Sequence, residues 1–162
     1  MKSIILASKS EVRKKILDEN NIKCTVEPSN LDEDEVKRSL INLGETPEII
    51  SKNLAELKAN KVSRKRIGEI VLGADSVIDL NGKLISKPAN RTEAMNILAS
   101  LNGKSHFLIS SVCISLNGKM IWNYTEKAEM KMKNFAQEEL KKYLSQISDK
   151  NLYSYNVYQI EG

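Results

Sequence analysis

Three short runs in this 162-residue chain hold the residues best suited to chemistry. The first is Leu6-Ala7-Ser8-Lys9-Ser10, an apolar run closing on two hydroxyls, with Arg13 three residues beyond. If a strand gives way to a helix here, the helix start offers unpaired N–H groups and a partial positive charge, which suit a phosphate. Ser8 and Ser10 would add donors, and Arg13 could fork onto phosphate oxygens. Read locally, the plainer alternative is an N-capped surface helix carrying a scattered arginine. The second run is Gly73-Ala74-Asp75-Ser76, set between Val71-Leu72 and Val77-Ile78. A carboxylate in so apolar a setting is costly to bury unpaired, so Asp75 wants a metal, a cation or a functional water. A strand-end aspartate facing solvent is an equal reading. Gly73 permits close approach of a ligand or backbone. The third run is Ser86-Lys87-Pro88, which would project a cation from a sheet edge or simply be a loop lysine.

Other candidates are blander alone. Asp32 and Glu33 read as charges at a helix start, and Lys58 as a solvated helix lysine. His106, the only histidine, reads as a hydrogen-bonded structural residue at a strand start.

Strands and helices must hold these groups in place. Residues 3–7 read as a buried strand and residues 23–27 as a second. Between them lies a helix with Val12, Ile16 and Leu17 turned inward and Ser8 or Ser10 as its cap. The acidic stretch 31–35 opens a polar helix or loop. Thr46-Pro47-Glu48 starts a helix that runs to about Arg64 and buries Ile50, Leu54, Leu57 and Val62. Residues 69–80 read as a strand that Asn81-Gly82 folds back onto residues 83–86. On that strand, period-two alternation sets Asp75 opposite in face to Ala74 and Ser76. Asn90 and Glu93 open a helix presenting Ala94, Ile97, Leu98 and Leu101, which stops at Gly103. A strand over residues 105–116, the turn Asn117-Gly118 and a strand over 119–131 make another hairpin. Residues 136–147 form an amphipathic helix with Leu140, Tyr143, Leu144 and Ile147 inward. Interleaved helices and strands with two hairpins predict an α/β fold with a mixed, twisted central sheet and flanking helices.

Composition narrows the class. Apolar residues make up 41% and charged residues 28%, as in an ordinary globular domain. Twenty-five basic residues against 21 acidic give +4, an excess more often spread over a solvated surface than aimed at a polyanion. Lys58, Lys61, Arg64, Lys65 and Arg66 read mostly as a solvent-facing helix end. With 5% aromatics the chain lacks the stacking platforms of single-strand binders, so no nucleic acid is expected as partner. No run nears the ~20 apolar residues of a membrane span, and the apolar start is shorter than the ~7–15 residues of a signal peptide. Cys24 and Cys113 read as buried free thiols, and a cytoplasmic location is expected. Trp122 is expected to pack on the sheet or at an interface.

Taken together, the spacing is specific. Leu-Ala-Ser-x-Ser with Arg13, Asp32-Glu33, Leu54-Ala55-x-x-Lys58-Ala59, Gly73-Ala74-Asp75-Ser76-Val77, Lys87-Pro88, Glu93-Ala94 to His106, and the closing Tyr158-Gln159-Ile160-Glu161-Gly162 resemble the Maf (septum-formation inhibitor-like) family along the whole chain. The resemblance implies one Maf-like domain over residues 1–162, apparently without the family's usual C-terminal segment. It also implies a fold similar to inosine triphosphate pyrophosphatases, with two lobes around a cleft. The implied activity is hydrolysis of a surplus or non-standard nucleoside triphosphate to the monophosphate and pyrophosphate, with Mg²⁺ or Mn²⁺ as cofactor. By the same resemblance Asp75 and Glu33 are catalytic and hold the metal, with Asp75 matching the acid/base position. Ser8, Ser10, Arg13, Lys58 and Lys87 fall to the phosphates. A homodimer is a further family expectation.

Val12, Ser76 and Glu161 fall at the positions that set base preference, and they leave it open. Ser76 leans toward the branch acting on dTTP and UTP, Glu161 toward the branch acting on 7-methyl-GTP. The family's first motif usually reads Ser-x-Ser-Pro-Arg-Arg; here Glu11 and Val12 replace proline and the first arginine. A competing expectation is a catalytically weak regulator that binds a nucleotide or nucleic acid.

Overall fold

The computed structural model describes residues 3–155, which fall into two compact units. The first comprises residues 3–76 and 109–127, the second residues 77–108 and 128–155. In chain order the elements are β1 (Ile4–Leu6), α1 (Glu11–Glu19), β2 (Cys24–Val26), α2 (Glu33–Asn42), α3 (Pro47–Lys65), β3 (Val71–Leu80), β4 (Lys83–Ile85), α4 (Arg91–Leu101), β5 (Ser105–Leu116), β6 (Lys119–Lys131), α5 (Gln137–Ser145) and α6 (Asp149–Tyr155). The strands make a mixed sheet ordered β2-β1-β3-β5-β6, with β4 beside β3. β1 runs parallel to both β2 and β3, whereas β4 is antiparallel to β3. β3, β5 and β6 each contribute to both units.

In the first unit, Ile5 and Ala7 of the β1 segment, Val71 of β3 and Cys113 of β5 pack against Ala55, Ala59 and Val62 of α3. Thr46 caps α3, accepting from the Ile49 N–H at 3.3 Å, and Pro47 fills the first turn. Such a cap stabilises by about 1 kcal/mol. Ser10 caps α1 in the same way, receiving the Arg13 N–H at 3.2 Å. α1 buries none of its residues, and Ile16 is exposed, contrary to the inward face expected for it. Leu57 on α3 also faces out, and Cys24 is only half-buried.

In the second unit, Ala94, Leu98 and Leu101 of α4, Leu140 and Leu144 of α5, and Leu152 of α6 form a core with Ile78 and Leu108. Asn90 caps α4 by accepting from the Glu93 N–H at 2.8 Å, and the Glu93 carboxylate reaches back to the Ala89 N–H at 2.8 Å. Tyr143 is exposed, and α6 has no counterpart in the sequence reading. Both hairpin turns, Asn81-Gly82 and Asn117-Gly118, place their two residues at positive φ, as a two-residue hairpin requires. Trp122 stands exposed on β6 and stacks on Tyr124, ring centres 6.3 Å apart. No described helix is long and apolar enough to cross a membrane.

Candidate active site

The site begins with a glycine. A methyl group at residue 73 would meet the Ala55 carbonyl oxygen and come within 2.9 Å of Ala59. With hydrogen there instead, α3 lies directly on β3, and the small side chains of Ala55 and Ala59 complete the contact. Lys58, between those alanines, is thereby buried to 7% exposure, a depth lysine reaches only when paired. Its ammonium donates to the Ala74 carbonyl at 3.1 Å and to Asp75 Oδ1 at 3.2 Å, and it also forms an ion pair with Glu33. The solvated lysine of the sequence reading is thus an internal cation shared by two acids.

Asp75 is 6% exposed, which excludes the strand-end aspartate in solvent. Burial is the largest influence on its acidity and raises its pKa above the usual carboxylate value. The charges of Lys58, then Lys37, then Arg13 pull the pKa down, Glu33 pushes it up, and the net is a rise. Oδ1 is satisfied by Lys58, whereas Oδ2 is buried with no hydrogen-bond partner among the described residues. A buried carboxylate oxygen left so is costly, and it marks where a ligand's donor or cation would be received.

Glu33 is the first residue of α2, behind the Asp32 cap, whose side chain accepts the Glu35 N–H at 3.1 Å. Its side chain keeps 38% exposure, so one of the two acids faces water and the other does not. Lys37, one helical turn along, bears on Asp75 electrostatically and is half-buried; sequence reasoning passed over it. Its signal was the four-residue spacing from Glu33, which puts both on one face of α2.

The parallel register pairs Leu6 with Leu72, so Ser8 comes level with Ala74, at the point where β1 ends. Ser8 Oγ accepts from the Ser10 N–H at 3.0 Å and from Arg13 Nη1 at 3.3 Å. The Ser-x-Ser turn is therefore self-bonded, and Arg13 spends one of its N–H groups on holding it. Val12 is half-buried. Ser76 is exposed, on the strand face opposite Asp75, with its hydroxyl 3.2 Å from that of Ser110. Ser8, Ser10, Arg13, Glu33, Lys58 and Asp75 all belong to the first unit. Lys87, exposed just after β4, belongs to the second, and Glu161 lies outside the described residues. His106 is buried, and desolvation lowers its pKa.

A family model described as Maf-like protein matches residues 3–162. The chain belongs to the Maf-like family. Across 162 residues the Maf-like chain is 69% identical to a nucleoside triphosphate pyrophosphatase of Pelagibacter ubique (strain HTCC1062), covering all of this chain and 83% of the relative. It is 33% identical over 159 residues to a 7-methyl-GTP pyrophosphatase of Brucella abortus biovar 1 (strain 9-941), covering 98% of this chain and 80% of that one. Among solved structures, a Ham1 protein from Coxiella burnetii superposes with a TM-score of 0.51 at 17% identity, over 80% of this chain and 71% of the other. That likeness bears out the mixed α/β fold of the inosine triphosphate pyrophosphatase type. In this Maf-like chain Lys58 of α3 binds both Asp75 and Glu33 of α2, and the charges of Lys37 on α2 and Arg13 on α1 also bear on Asp75.

Proposed function

We propose that this Maf-like protein hydrolyses a nucleoside triphosphate between its α- and β-phosphates, giving the monophosphate and pyrophosphate. The observation that carries this reading is the Lys58-held pair of Glu33 and Asp75, with one buried Asp75 oxygen still unpaired. The activities for which the Pelagibacter and Brucella relatives are named support it.

In the proposed reaction Asp75 takes the proton of a water that attacks the α-phosphorus. Desolvation makes it a stronger base than an exposed carboxylate, and the Lys58 charge works against that rise. The triphosphate carries about four negative charges, which must be neutralised as the bond to the leaving group breaks. Arg13 meets them from the α1 start together with Ser8 and Ser10, and the family resemblance also assigns Lys58 and Lys87 to the phosphates. Among the described residues no three His, Cys, Asp or Glu side chains gather into a metal cage. Two carboxylates and an unpaired oxygen do fit Mg²⁺ or Mn²⁺, which commonly takes one or two protein carboxylates plus phosphate oxygens. Glu33 and Asp75 would hold that ion, which supplies charge neutralisation at the phosphates. Val12, Ser76 and Glu161 are proposed to set the base preference. We assign the whole chain to one working domain in a reducing cytoplasm, where the free thiols of Cys24 and Cys113 would persist.

The test is product analysis with dTTP, UTP, CTP and 7-methyl-GTP, each with Mg²⁺, Mn²⁺ or excess EDTA. The expected result is equimolar monophosphate and pyrophosphate from at least one nucleotide, abolished by EDTA and lowered by orders of magnitude in Asp75→Asn. Orthophosphate as product, silence across the panel, or a fully active Asp75→Asn would overturn the proposal.

A further inference from the structure

Beneath Asp75 lies a group of hydroxyls that neither the sequence motifs nor the proposed chemistry uses. Ser51 sits on α3 seven residues before Lys58, two turns back on the same face. It is fully buried, and its hydroxyl donates to the Asp75 backbone carbonyl at 3.2 Å. The Ser51 oxygen also lies 3.0 Å from that of Ser111 on β5, itself buried, and Ser111 lies 3.0 Å from Thr125 on β6. A hydroxyl has one proton to give. The Ser51 hydroxyl thus has two acceptors for that proton, the Asp75 carbonyl and the Ser111 oxygen, while Ser111 and Thr125 bond each other in either direction. The result is a connected group, Thr125, Ser111, Ser51 and the Asp75 carbonyl, joining two strands and a helix on one residue.

We infer that Ser51, backed by Ser111, is a positioning residue that fixes the backbone of Asp75 so that its carboxylate is held in the geometry the reaction needs. This rests on the assignment of Asp75 under the proposed function. Lys58 alone cannot fix the acid, because its ammonium rides on a flexible four-carbon stem. Ser51 grips the same residue from the main-chain side, so α3 holds Asp75 at two points. Packing alone does not call for hydroxyls here. Desolvating two of them is unfavourable, and replacing both partners of such a pair with apolar groups is often nearly neutral for stability. Their presence at positions 51 and 111 therefore needs a reason other than filling space.

Ser63 provides the control. It is equally buried on the same helix, but its oxygen receives the Gly118 N–H at 2.9 Å, far along α3 from Asp75. Melting temperature, kcat and KM are measured for Ser51→Ala, Ser63→Ala, Ser51→Ala/Ser111→Ala and Asp75→Asn, using UTP and 7-methyl-GTP with Mg²⁺ well below each melting point. Ser51→Ala is expected to lower kcat on the order of ten- to a hundredfold, the scale of a small misplacement in an active site, with KM within about threefold. Ser63→Ala should lose stability yet keep a kcat within about twofold of the parent. The double variant should regain stability, having no hydroxyl left unpaired between 51 and 111, while staying slow. If Ser51→Ala does not fold, the double variant decides, slow turnover supporting the inference and parental turnover refuting it. A parental kcat in Ser51→Ala, or an equal loss in Ser63→Ala, would overturn it. Turnover surviving in Asp75→Asn would instead overturn the underlying assignment of Asp75.

Discussion

Substituting Gly73 with alanine tests the contact on which the whole cluster depends. The added methyl would sit 2.9 Å from both the Ala59 nitrogen and its Cβ, and closer still to the Ala55 carbonyl oxygen. Favourable carbon contacts lie near 3.5–4.0 Å, so α3 must retreat from β3 by roughly 0.6–1 Å. Two of the three obstructing atoms are backbone, so no side-chain rotation can relieve the clash. Overpacking of this kind costs about 1–3 kcal/mol. For a chain of this size that lowers the melting temperature by about 2–12 °C, with the upper half of the range expected from the rigidity of those atoms. The retreat also carries Lys58 with it. Its 3.2 Å bond to Asp75 would stretch beyond hydrogen-bonding range, so pyrophosphate release should fall about tenfold or more at a temperature where the variant is fully folded. Thermal melting by circular dichroism and initial-rate assays at 20 °C read the two effects. A variant melting within about 1 °C of the parent, with parental kcat, would refute the direct seating of α3 on β3.

Lys58→Met, which keeps length and removes charge, should strand the buried Asp75 carboxylate and cost about 3–5 kcal/mol at neutral pH. Urea unfolding should show that loss shrinking at acid pH as Asp75 takes up a proton, and a loss independent of pH would count against the buried pair. A second pH effect follows from Asp75 in the parent. Its folded-state pKa is raised, so the native state holds its proton more tightly than the unfolded chain. Its contribution is therefore favourable below the ordinary carboxylate range and is lost as pH rises through the folded-state pKa. Measured in EDTA, Asp75→Asn should gain stability relative to the parent as pH rises from about 4, the ordinary carboxylate value, toward neutrality. A gap that is constant or that narrows over this interval would contradict the assigned direction.

Local chemistry made much of the fold legible, and the chain's departures from it have physical causes. Asn81-Gly82 and Asn117-Gly118 announced their hairpins because few other residue pairs tolerate two successive positive φ angles. Ser10, Thr46 and Asn90 marked helix starts because the side-chain oxygen of each accepts from an orphan N–H three residues on. Helix α3 was harder to read face by face. It buries Ser51, Lys58 and Ser63 along with Ile50, Leu54 and Val62, so its inner surface is not its apolar surface. Apolar periodicity then wrongly favours Leu57 and cannot point to Lys58 as an interior group. The resemblance to Maf-like proteins singled out Lys58 and Asp75; their mutual contact is a tertiary fact that no spacing encodes. Lys37 and Ser51 escaped notice because each looks like an ordinary helix residue until α2 and α3 are set against Asp75. Helix α6 was missed because its seven residues include a single deeply buried leucine, Leu152, too little to create a period.

Because Asp75 belongs to the strand and its counter-charge to the helix, proton affinity at this carboxyl works as a gauge of how far apart those two elements stand. Coulomb attraction falls inversely with distance, so widening the 3.2 Å separation by about 1 Å weakens it by about a quarter. A small displacement that lengthens this separation while the strand stays dry leaves the acid more reluctant to ionise, until water enters and relieves the burial that raises its pKa.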